Sequence, residues 1–326
     1  MATSREIHLM KRPDGMPKVS DFQLFEVELP EPAEGQALVQ NLYLSIDPAT
    51  RPRLTRGQDL SAVLGGFALG RVLKSRSPNL KEGDVVRAAY GYRERYVADA
   101  KHLTKVVADP DLPLTVYMHV LGGAGFVAYG GLIEIGKMKA GEQVFVSTAA
   151  GSVGSLAVQI AKLKGCSVIG STGSDDKVQW LRSLGVDAVI NYKKEPIRDA
   201  LEKATPKGID VYFDNVGGDH LEAALRRMNS LGRIAVCGMI STYNDSQVGV
   251  RGLSAIIYSR VNIRGFVAPD FMHLYPAFTE EMTAWLKDGK VQYQETLFDG
   301  IENAPKALIA LLNGANTGKM MVRLAD

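Results

Sequence analysis

The hydrophobic pattern of the chain changes near Gly122. Before this point, short apolar runs such as 36–44 (QALVQNLYL) are separated by frequent prolines and glycines. That spacing of breakers is typical of a barrel or sandwich of antiparallel strands. After it, apolar runs of strand length alternate with segments whose apolar residues recur every three or four positions. This alternation predicts βαβ units stacked on a parallel sheet.

The first of these units begins with a buried-strand run at 143–148 (QVFVST). The segment 153–164 follows, with apolar residues at i, i+3, i+4, i+7 and i+8, which predicts an amphipathic helix. Gly165 stands where a helix commonly ends, directly after a lysine that suits the negative end of the helix dipole.

The same order of elements continues to about residue 290. Further strands are predicted at 167–171, 188–191, 211–214, 233–237 and 262–267. Helices are predicted at 175–184, 196–205, 221–228 and 272–287. Six strands with helical crossovers are the content of a full dinucleotide-binding domain. The last stretch, from about Leu297, is strand-like again at 319–324 (KMMVRL), and we expect it to return to the first domain.

Composition and charge narrow the function class. A chain of 326 residues accommodates two domains, and 46% hydrophobic with 23% charged residues is ordinary for a globular enzyme. A formal charge of +2 without a basic patch argues against a nucleic-acid partner. No segment approaches 18 uninterrupted apolar residues, and the first 15 lack a signal-peptide core. We therefore expect no membrane partner and a cytoplasmic location.

The two cysteines, Cys166 and Cys237, are far apart and neither belongs to a C-x-x-C pair. This argues against a disulfide framework and a structural zinc site, so no metal is expected. Both are predicted to be small buried side chains.

The segment 148–155 (TAAGSVGS) joins the first predicted strand to its helix. Ala149, Gly151 and Gly154 occupy the three special positions of an A-x-G-x-x-G fingerprint. Gly151 would let the backbone approach a pyrophosphate, and Gly154 would let the helix pack tightly on the strand. The phosphates would then face the N-terminus of the helix. A simple tight turn also suits small residues, but the six-strand pattern favours a dinucleotide.

The end of the second strand bears on which dinucleotide binds. NAD enzymes usually carry an acidic residue there, whereas 170–174 (GSTGS) has none, and Lys177 follows in the next helix. A cation near a helix N-terminus is unfavourable unless it binds an anion such as a 2′-phosphate. We predict NADPH. The alternative is a solvated surface lysine, and the neighbouring Asp175 and Asp176 weaken the electrostatic argument.

Several longer stretches resemble the zinc-independent medium-chain dehydrogenases/reductases. They are 149–193, 213–218 (FDNVGG) and 232–244 (GRIAVCGMISTYN), with 45–51 (SIDPATR) and 316–322 (NTGKMMV) outside the cofactor domain. The most similar branch is that of prostaglandin reductase, leukotriene B4 12-hydroxydehydrogenase and alkenal double-bond reductase, with bacterial curcumin-reductase-like members. The resemblance implies an α/β fold, with a Rossmann doubly wound parallel sheet at 123–296. It also implies a GroES-like β-barrel domain at 1–122, completed by 297–326.

The resemblance further implies NADPH-dependent reduction of the C=C bond of an enone or enal, without metal. It identifies Tyr258 as the catalytic tyrosine near the nicotinamide ribose and the substrate carbonyl. It places the substrate pocket at Ala49, Arg51, Tyr243 and Tyr258. It implies cofactor contacts at Ser152, Val153, Gly154, Ser155, Lys177, Tyr192, Asn215, Cys237, Gly238, Ser241, Thr242, Tyr243, Phe266, Val267, Ala268 and Asn316.

Two departures from the family pattern concern the substrate. Ala49 stands where members often have a tyrosine, and Val127 stands where a threonine is common. We therefore expect a roomier pocket, suited to a bulkier or cyclic enone.

Three alternatives remain open at this point. They are a quinone reductase, an allylic-alcohol dehydrogenase and a non-catalytic NADPH-binding protein. The resemblance also implies a homodimer formed through the edge of the Rossmann sheet.

Overall fold

The computed structural model describes residues 2–244 and 249–325. The chain divides into two compact units. The first comprises Met1–Met118 together with Glu295–Asp326, and the second comprises His119–Gln294.

The described ranges contain fifteen strands and nine α-helices. In chain order the strands are β1 (Ala2–Leu9), β2 (Phe22–Leu29), β3 (Gln36–Ser45), β4 (Ala68–Ser75), β5 (Val85–Ala88), β6 (Arg95–Asp99), β7 (Thr104–Lys105), β8 (Gln143–Val146), β9 (Ser167–Thr172), β10 (Ala188–Asn191), β11 (Ile209–Asp214), β12 (Met228–Val236), β13 (Asn262–Gly265), β14 (Glu295–Asp299) and β15 (Lys319–Arg323). The helices are α1 (Thr50–Thr55), α2 (Gly123–Gly130), α3 (Ser152–Leu163), α4 (Asp175–Ser183), α5 (Ile197–Ala204), α6 (Gly218–Leu225), α7 (Ala255–Tyr258), α8 (Tyr275–Lys287) and α9 (Ala304–Leu312).

The first unit is built mainly from antiparallel strands. Its larger sheet has the order β14-β15-β3-β4-β5-β7, with β6 paired to β3, and β1 pairs with β2. The C-terminal strand β15 lies between β14 and β3, with Met321 opposite Ser45. The last segment of the chain thus lies in the same unit as the β-rich first part. A buried cluster that includes Leu9, Leu44, Tyr92 and Val322 fills this part of the unit.

The second unit contains a six-stranded parallel sheet with the order β10-β9-β8-β11-β12-β13. The order reverses beside β8, as in a doubly wound fold, so the loops after β8 and β11 open at the same edge. Helix α2 packs on α3, and α5 packs on α6. The predicted Rossmann sheet is confirmed.

Three elements begin three or more residues away from their predicted starts. Helix α6 begins at Gly218 rather than 221, because the positive φ angles of Gly217 and Gly218 make the turn into it. Strand β12 begins at Met228 and bulges before its regular part, with Leu231 at φ 65°. Helix α8 begins at Tyr275, after a 3-10 turn at Ala268–Leu274, because Pro276 favours the first turn of a helix.

None of the helices in the described ranges has both the length and the apolar character needed to cross a membrane.

Candidate cofactor and active site

The turn between β8 and α3 is the predicted phosphate-binding loop. Thr148 has φ 50°, in the left-handed region that β-branched residues rarely adopt, and its carbonyl accepts from Gly151 N at 2.9 Å. A β-carbon at Gly154 would clash with that carbonyl oxygen and lie 2.9 Å from Ala149 Cα. Gly154 is therefore required by the close approach of the helix to the turn.

The first turn of α3 offers donors to an anion. Its N-cap is Gly151, so no side chain caps the helix, and the N–H groups of Ser152, Val153 and Gly154 precede the first intrahelical bond, from Ser155 N to Gly151 O. Ser152 Oγ is buried and has no hydrogen-bond partner within the described ranges. These groups fit the pyrophosphate of a dinucleotide.

The neighbouring loops carry the residues that are predicted to favour NADPH over NADH. Strand β9 ends at Thr172, and Ser171 there is fully buried and uncharged. Lys177 is the third residue of α4 and half-buried. Burial, together with the nearby charge of Lys193, lowers the pKa of Lys177. Tyr192 directly follows β10, with its hydroxyl 3.0 Å from where a β-carbon on Gly173 would stand. The region next to Lys177 and Tyr192 fits a phosphate monoester.

The loop after β11 is fixed by a buried polar network. Asn215 donates from its backbone N to Ser147 Oγ at 2.9 Å and from Nδ2 to Ser147 O at 2.7 Å. Asp214 Oδ1 accepts from Tyr212 Oη at 2.6 Å and from Val216 N and Gly217 N at 2.9 Å each. Burial raises the pKa of Asp214 even though these donors oppose the shift. The local sequence pattern does not reveal Ser147, Tyr212 or Asp214 as parts of the site.

The loop after β12 lies against the same network. Cys237 N and Gly238 N donate to Asp214 O at 2.8 and 3.1 Å, and Ser241 Oγ donates to Val216 O at 2.6 Å. Thr242 Oγ1 donates to Met239 O at 2.8 Å. Tyr243 Oη lies 3.5 Å from where a β-carbon on Gly238 would stand, and burial raises the pKa of this tyrosine. The cofactor residues predicted after β11 and β12 therefore come together.

The remaining predicted site residues of this unit lie at opposite ends of strand β13. Phe266, Val267 and Ala268 follow its carboxyl end, and the ring of Phe266 packs against Phe213. Tyr258 precedes its amino end, next to Ser259, whose carbonyl accepts from Leu231 N near the start of β12. The Tyr258 side chain is 83% exposed. Because β13 alone is about 13 Å long, Tyr258 lies at the opposite edge of the sheet from the phosphate loop.

The first unit carries the other predicted residues. Ala49 is exposed at the N-cap of α1. Arg51 is buried, and its guanidinium donates to Gly15 O at 2.5 and 3.1 Å and to Thr55 Oγ1 at 2.6 Å. Its role there is to connect α1 with the loop at Gly15. Asn316 is buried before β15 and donates to Gly318 O at 2.8 Å.

No group of three or more His, Cys, Asp or Glu side chains that could hold a metal ion occurs within residues 2–244 and 249–325. Both cysteines are free thiols, with Cys166 buried and Cys237 partly buried.

Two family models match the chain. One, described as the N-terminal domain of oxidoreductase, matches residues 5–106. The other, described as zinc-binding dehydrogenase, matches residues 152–287. Its description names zinc, although the described residues lack a ligand cluster.

Full-length relatives define the branch. The chain is 39% identical over 337 residues to the NADP⁺-dependent 2-alkenal reductase of Nicotiana tabacum, covering 99% of this chain and 98% of the relative. It is 40% identical over 329 residues to prostaglandin reductase 1 of Bos taurus, and the match covers 99% of this chain and 100% of the relative. The crystal structure of CurA from Vibrio vulnificus in complex with NADPH superposes with a TM-score of 0.94, at 36% identity and 99% coverage of both chains. The predicted Rossmann and GroES-like architecture is confirmed by this match, and the chain belongs to the zinc-independent branch of the medium-chain dehydrogenase/reductase family, with the prostaglandin and alkenal reductases.

Proposed function

We propose that this protein is an NADPH-dependent oxidoreductase that reduces the C=C double bond of α,β-unsaturated ketones and aldehydes. The observation that carries the proposal is end-to-end similarity to a 2-alkenal reductase and to prostaglandin reductase 1. The phosphate loop, Lys177 and the solved NADPH complex of CurA support NADPH as the cofactor.

The loops at the carboxyl edge of the sheet provide the binding surface. The first turn of α3 presents N–H donors to the pyrophosphate, and Lys177 with Tyr192 recognises the 2′-phosphate. Ser147 and Asp214 hold Asn215 and the loop after β12 in one arrangement. Pre-organised loops of this kind orient a ligand without further rearrangement.

When bound, NADPH supplies a hydride for the β-carbon of the enone. Negative charge then develops on the carbonyl oxygen of the substrate, so a hydrogen-bond donor is required there. Uptake of a proton from water at the α-carbon completes the saturated product. Tyr243 suits this role because its hydroxyl lies at the carboxyl edge, beside Gly238. Tyr258, which the family resemblance identified, stays a prediction, and its position at the amino edge favours Tyr243 as the donor within one subunit.

A screen of NADPH oxidation over enals, linear enones, cyclic enones and quinones tests the proposal. With NADPH deuterated at C4 of the nicotinamide, we expect deuterium on the β-carbon of the saturated product. Deuterium on the carbonyl carbon would instead identify an allylic-alcohol dehydrogenase. Turnover of quinones alone would identify a quinone reductase, and tight NADPH binding without any turnover would contradict an enzymatic role.

The exposed Ala49 at the N-cap of α1 supports a pocket open to bulky or cyclic enones. We expect Ala49→Tyr to reduce kcat/KM for cyclic enones more than for short enals. An unchanged substrate profile would show that residue 49 does not shape the pocket.

We also propose that two copies of the protein pair through β13. Strand β13 is hydrogen-bonded only to β12 within the described sheet, and Ile257 and Val267 near its two ends are 73% and 61% exposed. A two-fold pairing would bring these apolar ends together. Sedimentation should give a dimer, and Ile257→Glu should shift it toward monomer.

We further propose that the protein is cytoplasmic, because its free cysteines suit a reducing compartment.

A further inference from the structure

Tyr192 and Lys193 lie close to Gly173, in the turn between β9 and α4, and Lys177 is in the first turn of the helix that follows. A β-carbon on Gly173 would lie 3.0 Å from Tyr192 Oη and 3.3 Å from Lys193 Cε. Lys177 lies close enough that the charge of Lys193 adds to burial in lowering its pKa. The absence of a side chain at Gly173 leaves room for the Tyr192 phenol and the Lys193 side chain beside the turn, and Lys177 is near enough for the charge of Lys193 to act on it.

One of the two acidic residues in the first turn of α4, Asp175, already has a cationic partner. Asp175 Oδ2 pairs with Lys194 Nζ at 2.6 Å, and Asp175 Oδ1 accepts from Asn191 Nδ2 at 2.9 Å. Lys194 therefore forms the ion pair with the carboxylate that follows the turn. Lys193, by contrast, has no ion pair with a carboxylate within the described parts of the chain.

We propose that Lys193 is a second cation for the 2′-phosphate of NADPH, so that Lys177 and Lys193 bind the phosphate from two sides and together determine the preference over NADH. The proposal rests on the proposed function, because it assumes that the dinucleotide binds at this edge of the sheet.

The charges explain why two lysines are useful here. A phosphate monoester has a second pKa of about 6, so it carries close to two negative charges at neutral pH. Two neighbouring ammonium groups repel each other, and a dianion between them removes that repulsion. The ribose of NADH presents a neutral hydroxyl instead, which leaves both cations facing each other. Lys193 should therefore discriminate between the cofactors rather than merely add affinity.

Binding of ligand fragments tests this without measuring turnover. Titration calorimetry with 2′,5′-ADP should show that Lys193→Gln raises Kd about tenfold, whereas the Kd for 5′-AMP stays within twofold of wild type. Lys193→Arg should retain most of the affinity, because it keeps the charge. Lys177→Gln should also weaken 2′,5′-ADP, and the slope of log Kd against log salt should decrease in both variants.

Lys203→Gln is the matched control. Lys203 lies on α5 in the same part of the chain and pairs with Glu195 instead of facing Gly173, so its loss should leave both Kd values unchanged. An equal Kd for 2′,5′-ADP in wild type and Lys193→Gln would overturn the role of Lys193 and leave the proposed reductase function intact. Failure of the wild-type protein to bind either NADPH or 2′,5′-ADP would overturn both.

Discussion

The ammonium of Lys319 lies 3.0 Å from Asp47 Oδ1 and joins strand β15 to the loop that carries Ala49. It also donates to the carbonyl oxygens of Ile46 and Met320, at 2.9 and 3.1 Å. Lys319 is only 2% exposed, so these three acceptors replace its water. A lysine 272 residues away in sequence thus fixes the start of the loop predicted to line the substrate pocket.

Lys319→Met should lower the free energy of unfolding by about 2–3 kcal/mol, because Asp47 and two buried carbonyls lose their donor. Chemical denaturation followed by circular dichroism measures this. The control is Arg323→Gln on the same strand, which removes an exposed pair with Asp299 and should leave the midpoint nearly unchanged. Equal midpoints for the two variants would contradict the anchoring role of Lys319.

Gly154→Ala should abolish tight NADP⁺ binding and lower the free energy of unfolding by roughly 1–3 kcal/mol, because the added methyl group clashes with the Thr148 carbonyl. Fluorescence titration with NADP⁺ and thermal denaturation measure the two effects. Gly123→Ala serves as the control, since nothing lies within 4 Å of the β-carbon it would add. A Gly154→Ala protein that binds NADP⁺ normally would show that the turn can move aside.

Tyr243→Phe should lower kcat for enone reduction about 100-fold while leaving the Kd for NADPH within a few-fold, since it removes a donor to the developing oxyanion. Steady-state kinetics with a separate NADPH titration give both values. For Tyr258→Phe we expect kcat within about twofold of wild type, because that side chain lies at the amino edge of the sheet. The opposite ranking of the two variants would support the assignment drawn from the family resemblance.

His220 should make the protein sensitive to acid. Its ring packs edge-to-face on the ring of Tyr192, with the two ring centroids 5.0 Å apart. Burial lowers the pKa of His220 to about 4 from an ordinary 6.5. The unfolded chain therefore binds a proton that the folded chain does not take up between these values. Stability linked to His220 is fully present above pH 6.5 and is lost as the pH falls toward 4, by up to about 3 kcal/mol.

His220→Phe keeps a ring against Tyr192 but cannot titrate. We expect its free energy of unfolding to rise relative to wild type by about 3 kcal/mol as the pH is lowered from 7 to 4. Denaturation curves at several pH values measure this difference. Parallel pH profiles for the two proteins would show that His220 is not the titrating group.

The local pattern of the sequence determined the phosphate loop and its cofactor class. A strand, a glycine-rich turn and an amphipathic helix are contiguous in the chain, so hydrophobic periodicity and the special positions of Gly151 and Gly154 suffice to predict them. The same holds for Lys177, because an acid-free strand end and the following helix lie within a few residues of one another.

Only the tertiary structure decided which distant residues complete the site. Ser147 holds Asn215 because the sheet order places β8 beside β11, although 68 residues separate the two. Lys194 neutralises Asp175 and leaves Lys193 facing Gly173 because β10 pairs with β9. Tyr243 and Tyr258 lie at opposite edges because Tyr243 follows the carboxyl end of β12, Tyr258 precedes the amino end of β13, and the two strands are parallel. Periodicity reports which face of an element is buried, whereas strand order and register decide which elements meet, and these depend on packing across the whole sheet.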